Sequence, residues 1–167
     1  SGPGALTLRV SGGNLQLVDS NDPSQVRASK PLGEITDGVR IDSNGYKVNL
    51  TVDASVPKVP GGILFSGAGG SSTLIGPGVD TDWHVTGPGS GDLGGASYVQ
   101  FSGVTNLQGA ADNRDTFQVS ASGSIGGVID GGSGGFDSMV LENSAADPTR
   151  FSASGPHSGT IVQGLRT

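Results

Sequence analysis

The sequence predicts an all-β protein. Glycine is the compositional outlier, at 31 of 167 residues, whereas its usual share is roughly 7%. Apolar residues occur in short runs separated by Gly, Ser, Asn and Asp, which is typical of short strands joined by tight turns. Helical spacing of apolar positions is interrupted throughout by Gly or Pro, so helices are not expected.

Twelve strands are expected, because each apolar run holds β-branched, aromatic or aliphatic residues that pack on a pleated surface. They cover residues 6–10, 15–18, 39–41, 47–52, 63–65, 73–75, 83–86, 98–101, 116–119, 128–129, 138–141 and 151–153. Around Asn44-Gly45 the residues alternate on both sides of a dipeptide that tolerates positive φ, which predicts a local antiparallel hairpin. That hairpin keeps an antiparallel β-sandwich open as the alternative fold.

An internal repeat organises much of the chain. The matched stretches are WHVTGPGSG with FSASGPHSG and, upstream of them, ILFSGAGGSSTLI with GVIDGGSGGFDSMVL. They make two copies, 63–91 and 127–159. A unit with so few large apolar residues cannot bury a core alone, whereas stacked coils share one continuous core. The repeat therefore predicts a β-solenoid, with residues 1–167 forming a single elongated domain that is a fragment of a longer protein.

Charge and composition exclude several classes of protein. Fifteen acidic residues against nine Lys and Arg give a formal net charge of -6. The few cations are scattered along the chain, so a nucleic-acid partner is not expected. Cysteine is absent, which excludes disulfides and thiolate metal sites. No apolar run approaches the roughly 20 residues that cross a bilayer, so no membrane span is expected.

Five stretches follow one another in a distinctive order: GGILFSGAGGSSTLIGPG, WHVTGPGSG, VQFSGVTNLQGAADNRDTFQV, GSIGGVIDGGSGGFDSMVLE and FSASGPHSGTI. This succession resembles the repetitive region of very large bacterial surface proteins and exoproteins. These include adhesin-like and hemagglutinin-like proteins, some with RTX-type calcium turns or an LEPR-XLL export motif. The resemblance implies an extracellular or cell-surface repeat domain, folded as a right-handed parallel β-solenoid and built for reach or adhesion. Its implied partners are neighbouring repeats, surface glycans and cell-surface proteins of a host.

Turns rich in glycine and aspartate are the candidate metal sites. In the RTX nonapeptide G-G-x-G-x-D, backbone carbonyls and an Asp carboxylate converge on calcium. A degenerate version surrounds Asp130 and Asp137, and another surrounds Asp112 and Asp115, where Arg114 can replace a metal as counter-charge. Calcium is the one cofactor that the sequence suggests, with these four Asp as ligands. The alternative is that they form Asx turns and cap strand ends.

No catalytic constellation is expected. The G-x-S-x-G string around Ser133 needs a strand-turn-helix setting to form a nucleophile elbow, and no helix is expected there. His84 and His157 occupy non-equivalent positions of the repeat, which favours surface or turn roles. The sequence therefore predicts a non-enzymatic structural or adhesive segment. The alternatives are a carbohydrate-binding or polysaccharide-degrading β-helix, marked by a groove with paired carboxylates, and a subunit whose uncapped coils stack into a fibre.

Overall fold

The chain is all-β, as predicted. A computed structural model describes residues 4–67, 71–95, 98–142, 149–155 and 158–163. Over these residues it contains sixteen strands, a 3-10 turn at Leu32–Glu34 and no α-helix. The strands form two open seven-stranded sheets and a separate two-stranded hairpin. None of the described segments is a helix long and apolar enough to cross a membrane.

The strands are short, and most have three to seven residues. In chain order they are β1 (Ala5–Ser11), β2 (Asn14–Asp19), β3 (Val26–Pro31), β4 (Val39–Asp42), β5 (Asn49–Val52), β6 (Ile63–Ser66), β7 (Thr73–Ile75), β8 (Thr81–Gly87), β9 (Ser90–Leu93), β10 (Val99–Ser102), β11 (Asn106–Gln108), β12 (Asp115–Val119), β13 (Ile129–Asp130), β14 (Ser138–Leu141), β15 (Thr149–Gly155) and β16 (Ser158–Gln163).

Each sheet combines parallel ladders with an antiparallel meander. Sheet one has the order β13-β11-β7-β5-β1-β2-β3 and is parallel from β13 to β1 and antiparallel from β1 to β3. Sheet two has the order β14-β12-β8-β9-β10-β6-β4, and only β9 runs antiparallel to its neighbours. The ladders are therefore mixed, and the purely antiparallel sandwich is wrong in its strand pairing.

Successive strands alternate between the two sheets. The chain passes from β4 in sheet two to β5 in sheet one, then to β6, β7 and β8 in the same alternation, and it alternates again from β11 to β14. Between these two series, β9 and β10 stay in sheet two and fold back beside β8. Most of these strands therefore pair in parallel with the next strand that the chain adds to the same sheet. We call the stretch of chain from one strand to its parallel partner a circuit.

The core is continuous along the stacked strands. Leu50, Leu74 and Leu107 stand opposite one another in sheet one and are fully buried. In sheet two, Trp83 stands opposite Phe117, and both belong to the same hydrophobic cluster. Burying a large aliphatic or aromatic side chain contributes about 1.5–3 kcal/mol. Each circuit therefore stabilises the fold through inward residues that its neighbours cover.

The hairpin predicted around Asn44-Gly45 is wrong. Both residues have the positive φ that the turn requires, 51° and 80°. The flanking strands do not pair with each other, however, because β4 pairs with β6 in sheet two and β5 pairs with β1 and β7 in sheet one. Ile41 and Leu50 then enter the core from opposite sheets. The turn is a corner between sheets, which has the same local requirement for positive φ.

Every one of the twelve expected strands overlaps an observed strand. Four observed strands were not expected: β3, β9, β11 and β16. Alternation was a poor guide to them, since β3 is exposed throughout and β11 has a single buried residue, Leu107. Their positions are set by ladder pairing with neighbouring strands.

The two sequence copies share a hairpin of identical register. In β8–β9, Trp83 is paired with Leu93, and a register shift falls between Val85 and Gly87. In β15–β16, Phe151 is paired with Ile161, and the shift falls at the equivalent place, between Ala153 and Gly155. The upstream parts of the repeat lie in opposite sheets, since β6 is in sheet two and β13 is in sheet one.

Candidate functional site

Three stacked turns, at 76–80, 109–114 and 131–137, lead from sheet one into sheet two after β7, β11 and β13, and the four predicted ligands lie in or directly beside the second and third of them. Backbone hydrogen bonds join each turn to the next, since Gly76 N–H donates to the Gln108 carbonyl at 2.8 Å and Gly109 N–H donates to the Asp130 carbonyl at 2.7 Å. We call this region the turn stack. The parallel register of β8, β12 and β14 fixes its vertical alignment.

The turn stack brings Asp115 and Asp137 together. The backbone N–H of Asp115 donates to Oδ1 of Asp137 at 2.9 Å, and the backbone N–H of Ala110 donates to Oδ2 of Asp115 at 3.2 Å. Asp115 is only 1% exposed. Both carboxylates therefore accept hydrogen bonds from the backbone: that of Asp115 closes its own turn, and that of Asp137 joins its turn to the preceding one.

Burial dominates the electrostatics of Asp115 and raises its pKa. The side chain of Asn113 and the backbone of Ala110 oppose the rise by favouring the charged form, while the negative charge of Asp137 adds to it. The Trp83 indole N–H also favours the charged form weakly, although neither it nor Asp115 Oδ1 reaches hydrogen-bond geometry. Among the described carboxylic acids, Asp115 is thus the one whose pKa is raised.

Asp112 and Asp130 do not join this pair. Oδ1 of Asp130 accepts the N–H of Gly132 at 3.0 Å in an Asx turn. Asp112 has a φ of 58°, and its N–H donates to the Ser133 carbonyl at 3.0 Å. Among the residues that the structure describes, no group of three or more His, Cys, Asp or Glu side chains lies close enough to hold a metal ion.

In the part of the chain that the structure describes, the four predicted ligands do not converge on one point. Calcium takes six to eight oxygen ligands around one point, whereas oxygens of Asp115, Asp130 and Asp137 each face a backbone N–H. The alternative role, in which these aspartates form Asx turns and cap strand ends, accounts for these contacts. Calcium binding stays a prediction of the sequence, and thermal melting tests it.

Arg114 contacts the preceding turn. Its Nε lies 3.8 Å from Oδ2 of Asp80, and its backbone N–H donates to Oδ1 of the same carboxylate at 2.8 Å. The two side chains are 72% and 64% exposed. An ion pair this exposed contributes little to stability, so the arginine remains available for contacts with a ligand.

A shallow groove lies beside the turn stack on the outer face of sheet two, with a volume of about 400 Å³. Asp82, Thr116 and Ser138 form one row across β8, β12 and β14, because they are register partners. Asp80 and Arg114 line the groove beside this row, and Phe136, which is 83% exposed, adds an apolar surface. The groove thus combines two carboxylates, a guanidinium, hydroxyls and an aromatic ring.

The sequence reading missed this groove. The row joins Asp82 to Thr116 and Thr116 to Ser138, and these separations of 34 and 22 residues differ because β9 and β10 lie within the first circuit. A fixed period along the chain would not have aligned them. The paired carboxylates at Asp80 and Asp82 were the available signal.

The other candidate residues remain apart from the groove lining. Nδ1 of His84 lies 2.9 Å from Oδ1 of Asp92 across β8 and β9, in a partly buried pair. Ser133 lies in a turn that leads into β14 rather than into a helix, so the setting of a nucleophile elbow is missing. His157 lies outside the described residues.

Comparison with known proteins gives no match: no family model fits the chain, and neither curated proteins nor solved structures include a significant relative. Function is therefore inferred from the residues and their geometry.

Proposed function

We propose that the chain is a structural and adhesive repeat segment of a large secreted bacterial surface protein, acting outside the cell. We also propose that the strands alternating between the sheets are coils of a right-handed β-solenoid. Neighbouring repeats of the same protein are then its first partners. The reasons are the stacked register, the continuous core and the polar groove on the outer face.

The stacked register carries the proposal. The column of Leu50, Leu74 and Leu107 repeats one inward residue per circuit, so the apolar face of each circuit is covered in part by its neighbours. Stability in such a stack is nearly a sum over adjacent units, and length is gained by adding units. That organisation suits a stiff spacer that displays surfaces at a distance from the cell.

The groove supplies a second candidate function, carbohydrate binding. Hydroxyl groups of a sugar hydrogen-bond to carboxylates and guanidinium groups, which Asp80, Asp82 and Arg114 offer. The exposed ring of Phe136 offers an apolar surface for the C–H face of a sugar ring. We therefore propose a surface glycan as the adhesive ligand of this groove, without cleavage.

Solution scattering tests the solenoid. A compact domain of this length has a radius of gyration of about 15 Å, and a rod must exceed that value clearly. We expect a larger radius and a maximum dimension typical of an elongated particle. A radius at the compact value would contradict the solenoid and the spacer role together.

A glycan array with labelled protein tests the adhesive role. We expect binding to one class of glycan and at least a tenfold loss of affinity in Phe136→Ser. Tyr46→Ser is the matched control, because Tyr46 is also exposed, at 56%, and lies outside the groove lining. Absence of glycan binding would reject the carbohydrate candidate, and release of reducing ends from polysaccharide would reject the non-enzymatic assignment.

A further inference from the structure

The two ends of the stacked sheets differ in chemistry. At one end, β3 is exposed along its whole length and carries Arg27, Lys30 and Pro31. Beside it in the chain, the edge strand β4 carries the ion pair of Arg40 and Asp42, with Nε and Oδ2 2.8 Å apart. Lysine, proline and charged side chains are the devices that prevent a sheet edge from pairing with another strand. This end is therefore protected against strand addition, and we call it the finished end.

The other end is apolar and open. Among the described strands, β13 and β14 are the last members of their sheets, so each has one edge without a paired strand. Four apolar side chains near these edges are exposed: Val128 at 61%, Phe136 at 83%, Met139 at 40% and Val140 at 47%. An exposed apolar edge of this kind is a template for strand addition.

The internal repeat indicates what pairs with this end. In the first copy, β10 follows the hairpin β8–β9, lies antiparallel to β9 and lies parallel to β6. The equivalents of β9 and β6 in the second copy are β16 and β13. Both have a free edge in the described structure, and β15–β16 forms a sheet of its own. The strand that would join them is the equivalent of β10.

We propose that an extended segment with the sequence pattern of β10 inserts between β13 and β16, parallel to the first and antiparallel to the second. The inference rests on the proposed stacking function and names the partner of its open end. A second copy of this chain is the weaker occupant, because the finished end presents charged residues and proline rather than a complementary apolar edge.

The register predicts where the side chains of the inserted strand fall. Phe101 stands opposite Phe65 in β6 and opposite Gly91 in β9. A Cβ at Gly91 would lie 2.9 Å from Cζ of Phe101, so glycine leaves room for the ring. In the second copy Gly159 has the same register position, paired with Ala153 as Gly91 is paired with Val85. An inserted aromatic residue therefore meets glycine again, and it meets Ile129 on the other side.

Strand complementation in trans tests the proposal. A fluorescein-labelled peptide with the sequence of residues 97–104, SYVQFSGV, is titrated into the full chain and followed by anisotropy and thermal melting. We expect saturable binding and a rise in the melting temperature, since a ligand bound only by the native state stabilises it. The same peptide with Gln100→Pro should bind at least tenfold more weakly, because proline lacks the ladder N–H.

A glycine variant of the protein locates the site. Gly159→Val should weaken binding of the wild-type peptide at least tenfold, whereas Gly33→Val, at a position with open space around it, should leave it unchanged. Equal binding of both peptides, or equal binding by both variants, would overturn the proposal. Dimers of the chain that Gly159→Val abolishes would make a second copy the occupant and overturn it as well.

Solution scattering distinguishes a failure of strand insertion from a failure of the proposed stacking function. An elongated chain that binds no peptide at millimolar concentration overturns strand insertion and leaves the solenoid in place. A compact chain overturns the stacking function first.

Discussion

Trp83 and Phe117 stack face to face in successive parallel strands, with ring centroids 5.2 Å apart and planes inclined by 21°. Neither side chain is more than 2% exposed. The contact joins two circuits that are far apart in the sequence, and it lies directly behind the row of groove residues on the outer face. A buried aromatic contact therefore supports the strands that carry the candidate site.

Truncating the ring of Phe117 should strongly lower the free energy of unfolding. Phe117→Ala removes a buried ring and leaves a cavity, which costs about 3–5 kcal/mol of the free energy of unfolding. Phe136→Ala removes a ring of the same type that is 83% exposed and should change stability by less than about 0.5 kcal/mol. Urea denaturation measures both. Similar losses in the two variants would show that the stacked pair is not a core contact.

The hairpin β8–β9 depends on a glycine that packs against backbone. A Cβ at Gly91 would overlap the carbonyl oxygen of His84, so Gly91→Ala should destabilise the fold by about 1–3 kcal/mol or more. A Cβ at Gly78 would meet no other atom within 4 Å, and Gly78→Ala should be neutral or slightly stabilising. The melting temperatures of the two variants should move in different directions or by clearly different amounts. A harmless Gly91→Ala would refute the close approach.

Asp115 should give the protein a pH-dependent stability that Asp115→Asn removes. Burial raises the pKa of Asp115, so the folded state binds its proton more tightly than the unfolded state. Its contribution is fully present below the ordinary value of 3.8 and is lost as pH rises through the raised pKa. The stability of Asp115→Asn relative to wild type should therefore increase between acid and neutral pH.

The pKa values of Asp19, Asp22, Asp42 and Asp53 are lowered, mainly by hydrogen bonds to each carboxylate. Their stabilising contributions are lost as pH falls, which is the opposite sense. These contributions are common to both proteins and cancel in the difference between them. Urea titrations across the acid range measure that difference, and a flat or falling difference would contradict the burial effect at Asp115.

Calcium should leave the melting temperature unchanged. The carboxylates in the turn stack already accept backbone N–H groups, and the described residues offer no cluster of metal ligands. Melting in millimolar calcium and in chelator compares the two states directly. A rise in calcium that Asp130→Asn and Asp137→Asn each abolish would restore the calcium site that the sequence suggested.

Local rules predicted the strands well because inward residues such as Leu50 and Val52 are aliphatic and alternate with polar neighbours. The same rules failed at Asn44-Gly45. A hairpin turn and a corner between sheets need the same φ values, and only long-range pairing separates them.

The site was harder to predict, because it depends on register between distant strands. Pairing along sheet one joins Asn49 to Thr73, Thr73 to Asn106 and Leu107 to Ile129, so the circuits have unequal lengths. Asp130 was expected to act with Asp137 and Asp112 with Asp115, yet the vertical alignment joins Asp115 to Asp137. It also assembles a groove from residues that no short motif connects.

Among the described strands, the sheet margin at β3 carries charged residues, whereas β13 and β14 each have one unpaired edge. In the proposed solenoid, further circuits are added on the side of β13 and β14 without disturbing those already in place. Duplication of sequence would then lengthen the molecule at that side, while the opposite side keeps the charged residues of β3.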